Sequence, residues 1–276
     1  MDNDATISSR QIEAESNLPS LNHVKAWKVL KNAGLRPYKI HISHALREGD
    51  AERRLTFCNW LLDQDNQNRN FLSNILWTDE ATFTNCGVFN RNNEHIWARE
   101  NPRENREVRK QVRFSLNVWA GILGDRIFGP VFLPQRLTGE YYLVFLNNTL
   151  QDFLSEIPLA RLQQIWFQQD GAAAHGTRDV TTFLHAEFPG RWIGNRGFIE
   201  WPARSPDLTP LDFFFWGAIK NKVYKQPINV IEELRVRCIN AFVSIRRRSV
   251  HRATQKVRVK IEKCINQNGN LFEHLR

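Results

Sequence analysis

Two apolar runs, VRFSLNVWAGIL (residues 112–123) and RIFGPVFL (126–133), are separated only by Gly124-Asp125. Two β-type runs joined by a two-residue turn containing Gly read as an antiparallel hairpin. The hairpin commits this part of the chain to a sheet, and its flanks say what kind. Upstream, Asn74 to Asp79 (NILWTD) predicts a strand that ends on an acid, and Gly87 to Asn90 a short return strand. The polar, basic stretch 101–110 (NPRENREVRK) predicts an exposed loop. Downstream, Thr138 to Leu154 predicts a helix capped by Thr138, with Tyr141, Phe145 and Leu146 at helical spacing. Gln164 to Asp170 (QIWFQQD) predicts a second strand ending on an acid, and Ala174 to Phe188 a helix. Trp192 to Trp201 predicts a strand broken by glycines, and Asp212 opens a helix of aromatics. Residues 229–266 predict basic helices. Strands and helices in this order imply an α/β class, with helices on the faces of a mixed sheet.

The segment before the sheet reads differently. Ser8 with Gln11 is a capping box for a short helix, and Asn17-Leu18-Pro19-Ser20 is a turn. A second helix then runs from about Leu21 to Ala33 and stops at Gly34. Val24, Trp27 and Leu30 share one face, while Lys25, Lys28 and Lys31 share another. Two short helices with a tight turn and a basic second helix outline a helix-turn-helix, although a solvated lysine face gives the same pattern. Arg36-Pro37-Tyr38 breaks the helix, and Asp50 caps another that runs through Leu62, lined by Leu55, Cys58 and Leu62, with the polar run Asp63 to Asn70 ending it. The expected organisation is a small helix-turn-helix unit over 1–36, a helical linker over 37–72 and an α/β domain over 73–276.

With 38 Lys and Arg against 29 Asp and Glu, the chain carries a net charge of +9. That surplus attracts polyanions at long range but does not choose among them. The apolar stretches are shorter than the ~20 residues of a spanning helix. The first residues lack the basic-then-apolar order of a secretory signal, so an intracellular protein is expected. Cys58, Cys86, Cys238 and Cys264 have no zinc-finger spacing and read as reduced thiols.

Displacement at phosphorus commonly needs two divalent cations held by carboxylates that converge from different elements. Magnesium and manganese prefer such hard oxygen donors. Asp79 and Asp170 each follow a hydrophobic run, and Asp212 stands at a helix start, where the helix dipole favours an anion. Each is also open to an ordinary reading, as a turn former or an N-cap.

Three local patterns raise the specificity. WTDEATF (77–83), WFQQDGAAAH (166–175) and EWPARSPDLTPLDFFFWGAIK (200–220) resemble the three signatures of mariner-like cut-and-paste transposases. RWIG (191–194) and the closing NGNLFEHLR are similar to the same family, so the resemblance spans nearly the whole chain. It implies a ribonuclease-H-like catalytic fold preceded by helix-turn-helix units. It implies Mg²⁺ or Mn²⁺, two ions, held by Asp79, Asp170 and Asp212. Of the two acids in the third signature, it maps the ligand on Asp212 of PLD and leaves Asp207 of SPD as a near-site candidate, with Glu80 and His175. It implies cleavage of double-stranded DNA at terminal inverted repeats, followed by attack of the freed 3′-hydroxyl on target DNA, by a homodimer in the nucleus. Relatives carry two helix-turn-helix units and this chain has room for one before Pro37, so an N-terminally shortened relative is expected, with an idle DNA-binding protein as the alternative. Phosphate contacts are expected at Lys25, Lys28, Lys31, Arg99, Arg103, Arg106, Arg109, Lys110, Arg113 and Arg204. Arg246, Arg247 and Arg248 resemble a nuclear-import cluster and are further candidates. Nine Trp and paired acids also suit a carbohydrate enzyme, but the basic balance counts against it.

Overall fold

A computed structural model of the chain describes residues 23–34, 45–85 and 113–272. The chain divides into two units, Met1–Ser43 and His44–Arg276. In the first, helix α1 covers His23–Asn32 and Gly34 follows it with φ of +78°, a left-handed conformation that stops a helix at little cost to glycine. Val24 and Trp27, expected on a packing face, are both 45% exposed. The expected helix over Ile12 lies outside the described residues.

The second unit is built on five strands: β1 (Ile75–Thr84), β2 (Ser115–Leu123), β3 (Arg126–Leu133), β4 (Trp166–Gln168) and β5 (Trp192–Ile193), in the order β3-β2-β1-β4-β5. The first three pair antiparallel, and β4 and β5 add to β1 in parallel. The β2–β3 hairpin forms as expected, with Leu123 opposite Arg126 and Gly124 at φ of +64° in the turn.

Side chains alternate across the sheet, so each strand supplies two cores. Ile75, Trp77 and Phe83 of β1 pack with Val118, Ala120 and Ile122 on one face. That face is covered by α2 (Asp50–Gln67), α7 (Trp216–Val223), α8 (Ile231–Val243) and α9 (Arg247–Asn266). Leu76, Trp119, Leu123, Phe167 and Trp192 face the other way. They are covered by α3 (Gly139–Phe145), α4 (Gln151–Ser155) and α6 (Arg178–Glu187), with the short α5 (Leu159–Leu162) leading into β4. The result is a helix–sheet–helix sandwich. Each large apolar side chain fully buried in it contributes roughly 1.5–3 kcal/mol.

Several boundaries differ from expectation. Helix α2 runs to Gln67 rather than stopping at Leu62, because Asp65 is tied down by Arg258 of α9 at 2.5 Å. Its buried side is Arg54, Phe57, Cys58 and Leu61, not the Leu55 and Leu62 stripe. Asp50 is the first helical residue, and its carboxylate accepts from the Arg47 N–H at 2.7 Å. Thr138 does cap α3, but Tyr142 rather than Tyr141 enters the core. A π-turn at Leu146–Leu150 interrupts the long helix before α4. The strand expected over 192–201 shrinks to two residues plus a bridge from Ile193 to Ile199. Residues 87–90 and 101–110 lie outside the described residues. Cys58, Cys238 and Cys264 are buried free thiols.

Candidate active site

Asp79 does not end its strand. It lies mid-way along β1, opposite Ala120 of β2. Ala81-Thr82-Phe83-Thr84 keeps the two-residue alternation going, and β2 is long enough to pair with it as far as Ser115. By the same alternation Asp79 shares a face with Trp77 and Phe83, while Glu80 shares the opposite face with Leu76 and Thr78. The adjacent acids therefore serve different surroundings.

On the Asp79 face, the π-turn Leu211–Phe215 leads into α7 and carries the exposed Asp212. A π-turn widens the helix by one residue and is common where a side chain must be re-aimed. One turn on, the indole Nε1 of Trp216 donates to Asp79 Oδ2 at 2.6 Å. Burial first, then the negative charges of Asp212, Glu80 and Asp170, push the Asp79 carboxyl well above the usual carboxylate range, against the Trp216 bond. Carboxylates gathered about Asp79 are oxygen donors of the kind a hard divalent cation takes, so their chemistry suits Mg²⁺ or Mn²⁺.

Asp170 lies two residues beyond β4, which is shorter than expected. Its Oδ1 accepts from the Ala172 N–H at 3.0 Å and lies 2.8 Å from His175 Nδ1. His175 sits in the turn before α6, which starts at Arg178 and not at Ala174. The imidazole is buried against the Tyr142 ring, centroids 4.3 Å apart, and its Nε2 lies 3.4 Å from Glu80 Oε1. Tyr142 donates to Gln169 Oε1 at 2.9 Å, and Gln169 donates to the His175 carbonyl at 3.3 Å, fixing the loop. Burial opposes charge on His175, yet Glu80 and Asp170 outweigh it and its pKa is pushed up to about 10. Burial likewise opposes charge on Asp170, but the His175 and Ala172 bonds hold its carboxyl below the usual range.

Glu80, Asp170 and His175 each present a donor atom within 4.8 Å of the others. A protonated imidazole has no lone pair for a metal. With its imidazole beside both carboxylates, the trio is a bracket that joins β1 to the Asp170 loop.

Two expected residues take other parts. Asp207 is buried, and both of its oxygens are held by Arg54 of α2, at 2.7 and 2.6 Å, so neither is left for a metal. Arg54 also donates to Ser205 Oγ and the Gly269 carbonyl, each at 2.8 Å. Arg204 forks onto Asp50, one arm at 2.5 Å, so its guanidinium is already paired. Arg99, Arg103, Arg106, Arg109 and Lys110 lie outside the described residues. Lys25, Lys28 and Lys31 are exposed on α1, with Lys31 Nζ 4.9 Å from the Trp27 ring centroid. Arg113, Arg246, Arg247 and Arg248 are exposed.

No protein-family profile matches the chain. In sequence it is 26% identical over 156 residues to the transposase of transposable element Tcb1 of Caenorhabditis briggsae, covering 55% of this chain and 52% of that one. It is 22% identical over 261 residues to the Tc3 transposase of Caenorhabditis elegans, covering 91% and 70%. The chain thus spans about half the length of the first relative. In structure it is similar to the Mos1 transposase in a paired-end complex with a left transposon end, with a TM-score of 0.72 at 19% identity over 99% of this chain and 77% of that one. In sequence and in fold the chain is thus similar to transposases of the Tc1/mariner kind. Against the Mos1 catalytic domain solved with raltegravir and Mg the TM-score is 0.64 at 20% identity, over 83% of this chain and all of the other. The five-stranded sheet with its flanking helices is therefore the ribonuclease-H-like transposase fold.

Trp216, Tyr142 and Arg54 support the site or its scaffold without having been legible as such. Trp216 stands in the third signature, but only the packing of α7 on β1 shows which acid its indole reaches. Arg54 had no signal at all beyond a charged residue on the buried side of α2.

Proposed function

We propose that the chain is a DNA transposase that cleaves and joins strands at the inverted repeats of a transposable element, with Asp79, Asp170 and Asp212 as the acids holding divalent cations. The observation that carries this is the convergence on Asp79 of the charges of Asp212 and Asp170, from three elements far apart in sequence. When bound, Mg²⁺ or Mn²⁺ supplies the Lewis acidity that in-line displacement at phosphorus requires. The chain's own residues set the conditions for it. Trp216 orients the Asp79 carboxylate, and His175 keeps Asp170 ionised and aimed. A raised Asp79 pKa makes cation holding weaken towards acid pH, where the carboxyl keeps its proton. Hydrolysis at the element end and attack by the freed 3′-hydroxyl are both displacements at phosphorus, so one site serves both, and no nucleophilic side chain is needed.

Double-stranded DNA is the partner this reading requires, supported by the surplus of +9 charges and by the relation to transposases. The helix-turn-helix outline around α1, with Lys25, Lys28 and Lys31, would contribute to it, as would the basic residues between β1 and β2. Mos1 forms paired-end complexes, which supports action as a dimer. The nucleus is the compartment where such a reaction meets its DNA. Incubation with a duplex carrying the inverted repeats that flank the coding sequence should give nicks in Mg²⁺ or Mn²⁺. Asp170→Ala should abolish them. Nicking that persists in that variant rejects the site, and tight binding without nicking in either metal marks an idle DNA-binding protein instead.

A further inference from the structure

Helix α9 carries its charge unevenly. Its buried side, Val250, Ala253, Thr254, Val257, Ile261 and Cys264, packs into the larger unit. Thr254 ties it to the hairpin turn by donating to the Gly124 carbonyl at 2.7 Å. Two of its cations are engaged in the fold. Arg258 pairs with Asp65 and with Glu262, and Lys260 lies 4.5 Å from the ring centroid of Phe213, the residue after Asp212. Helix α9 is thus packed against the turn that presents the third acid.

Four other cations do nothing of the kind. Arg248, Arg252, Lys256 and Lys263 are exposed, and none of their side chains makes an ion pair or hydrogen bond with another described residue. At 100° per residue they fall within one stripe opposite the buried side, and the stripe contains no acid. At 1.5 Å per residue it is about 22 Å long. Its start is unusual too. Arg247 and Arg248 occupy the first turn, which holds no acidic residue, although the positive end of the helix dipole disfavours cations there. An array of uncompensated charge, continued into the dipole end that attracts anions, is complementary to a regular line of negative charge.

We propose that the outer face of α9 is a docking surface for the phosphate backbone of double-stranded DNA, with Arg248, Arg252, Lys256 and Lys263 as its contacts. The inference rests on the proposed function for the identity of the polyanion. A duplex presents phosphates continuously along its length, which suits a line of cations interrupted only by the half-exposed Val259 better than a folded partner's apolar contact would. Contacts of this kind carry no sequence information and act by releasing counterions, so each one adds close to one unit to the salt dependence of binding.

The test is fluorescence anisotropy of a labelled duplex of arbitrary sequence, titrated with full-length protein in EDTA across a salt series, on the Asp170→Asn background. Changing Arg248, Arg252, Lys256 and Lys263 together to Gln should flatten the plot of log K against log salt by about 2–4 units. It should also weaken binding by at least tenfold at ~0.1 M salt. The pairs Arg248→Gln/Arg252→Gln and Lys256→Gln/Lys263→Gln should each give about half the effect, which keeps the test available if the fourfold variant fails to fold. Thermal melting verifies the fold of each. An unchanged slope in well-folded variants overturns the inference and leaves the proposed reaction standing. Failure of the unaltered protein to nick DNA, with the slope difference intact, counts against the reaction and not against the docking surface.

Discussion

The indole of Trp216 donates to Asp79 at 2.6 Å across the junction of α7 and β1. This bond lowers the proton affinity of a carboxyl that burial and neighbouring acids raise. Trp216→Phe keeps the packing and removes the donor. Such supporting contacts are worth roughly 10–100-fold in metal affinity or activity. Nicking by Trp216→Phe should therefore fall in that range, and the acid limb of its pH profile should move to higher pH. An unmoved pH limb would assign Trp216 to packing alone.

Repulsion among the acids predicts a trade between function and stability. The folded state raises the pKa of Asp79 above the usual 3.8, so it binds a proton more tightly than the unfolded chain does. Its contribution is fully present below the unfolded value and is lost as pH rises through the folded one. Above that window, without metal, the ionised group is a net cost. Asp79→Asn should raise the melting temperature under those conditions while abolishing nicking. Adding Mn²⁺ should raise the melting temperature of the unaltered protein, and much less that of the variant.

His175 gives a second pH signature with its own window. Its pKa rises from 6.5 to about 10 on folding. The stabilisation is fully present below 6.5 and disappears as pH climbs through about 10. Urea denaturation of the metal-free protein should show stability declining across that interval. His175→Gln should be less stable near neutrality and should lose most of the decline. A variant with the same slope would show that Glu80 and Asp170 do not hold the charge on this ring.

The buried Arg54–Asp207 pair ties α2 to the loop before the Asp212 turn. Removing one partner of such a pair strands a charge in the interior, at a cost of about 3–5 kcal/mol. Arg54→Met should lower the urea midpoint accordingly. Arg54→Met with Asp207→Leu should recover a large part of the loss, because no charge is then left unpaired. Equal losses in the single and double variants would place the effect in packing.

What could be read from sequence was local. The β2–β3 hairpin was legible because its turn residues and two-residue alternation lie within one short stretch. The layered α/β class followed from the order of such stretches, and the resemblance singled out Asp79, Asp170 and Asp212. The extent of β1 was not legible, since whether residues 80–84 stay extended depends on a partner strand more than 30 residues away. The parts played by Asp207 and Arg204 were hidden for the same reason. An acid and an arginine in a turn look available until Arg54 and Asp50, some 150 residues earlier, are folded against them.

The amino-acid sequence alone determined the β2–β3 hairpin and the Thr138 cap, because periodicity and turn chemistry act over a few residues. Only the tertiary structure decided which face each acid looks towards. Asp79 meets Trp216 and the Asp212 turn, while its neighbour Glu80 meets His175, because a strand sends consecutive side chains to opposite faces and different helices cover the two sides.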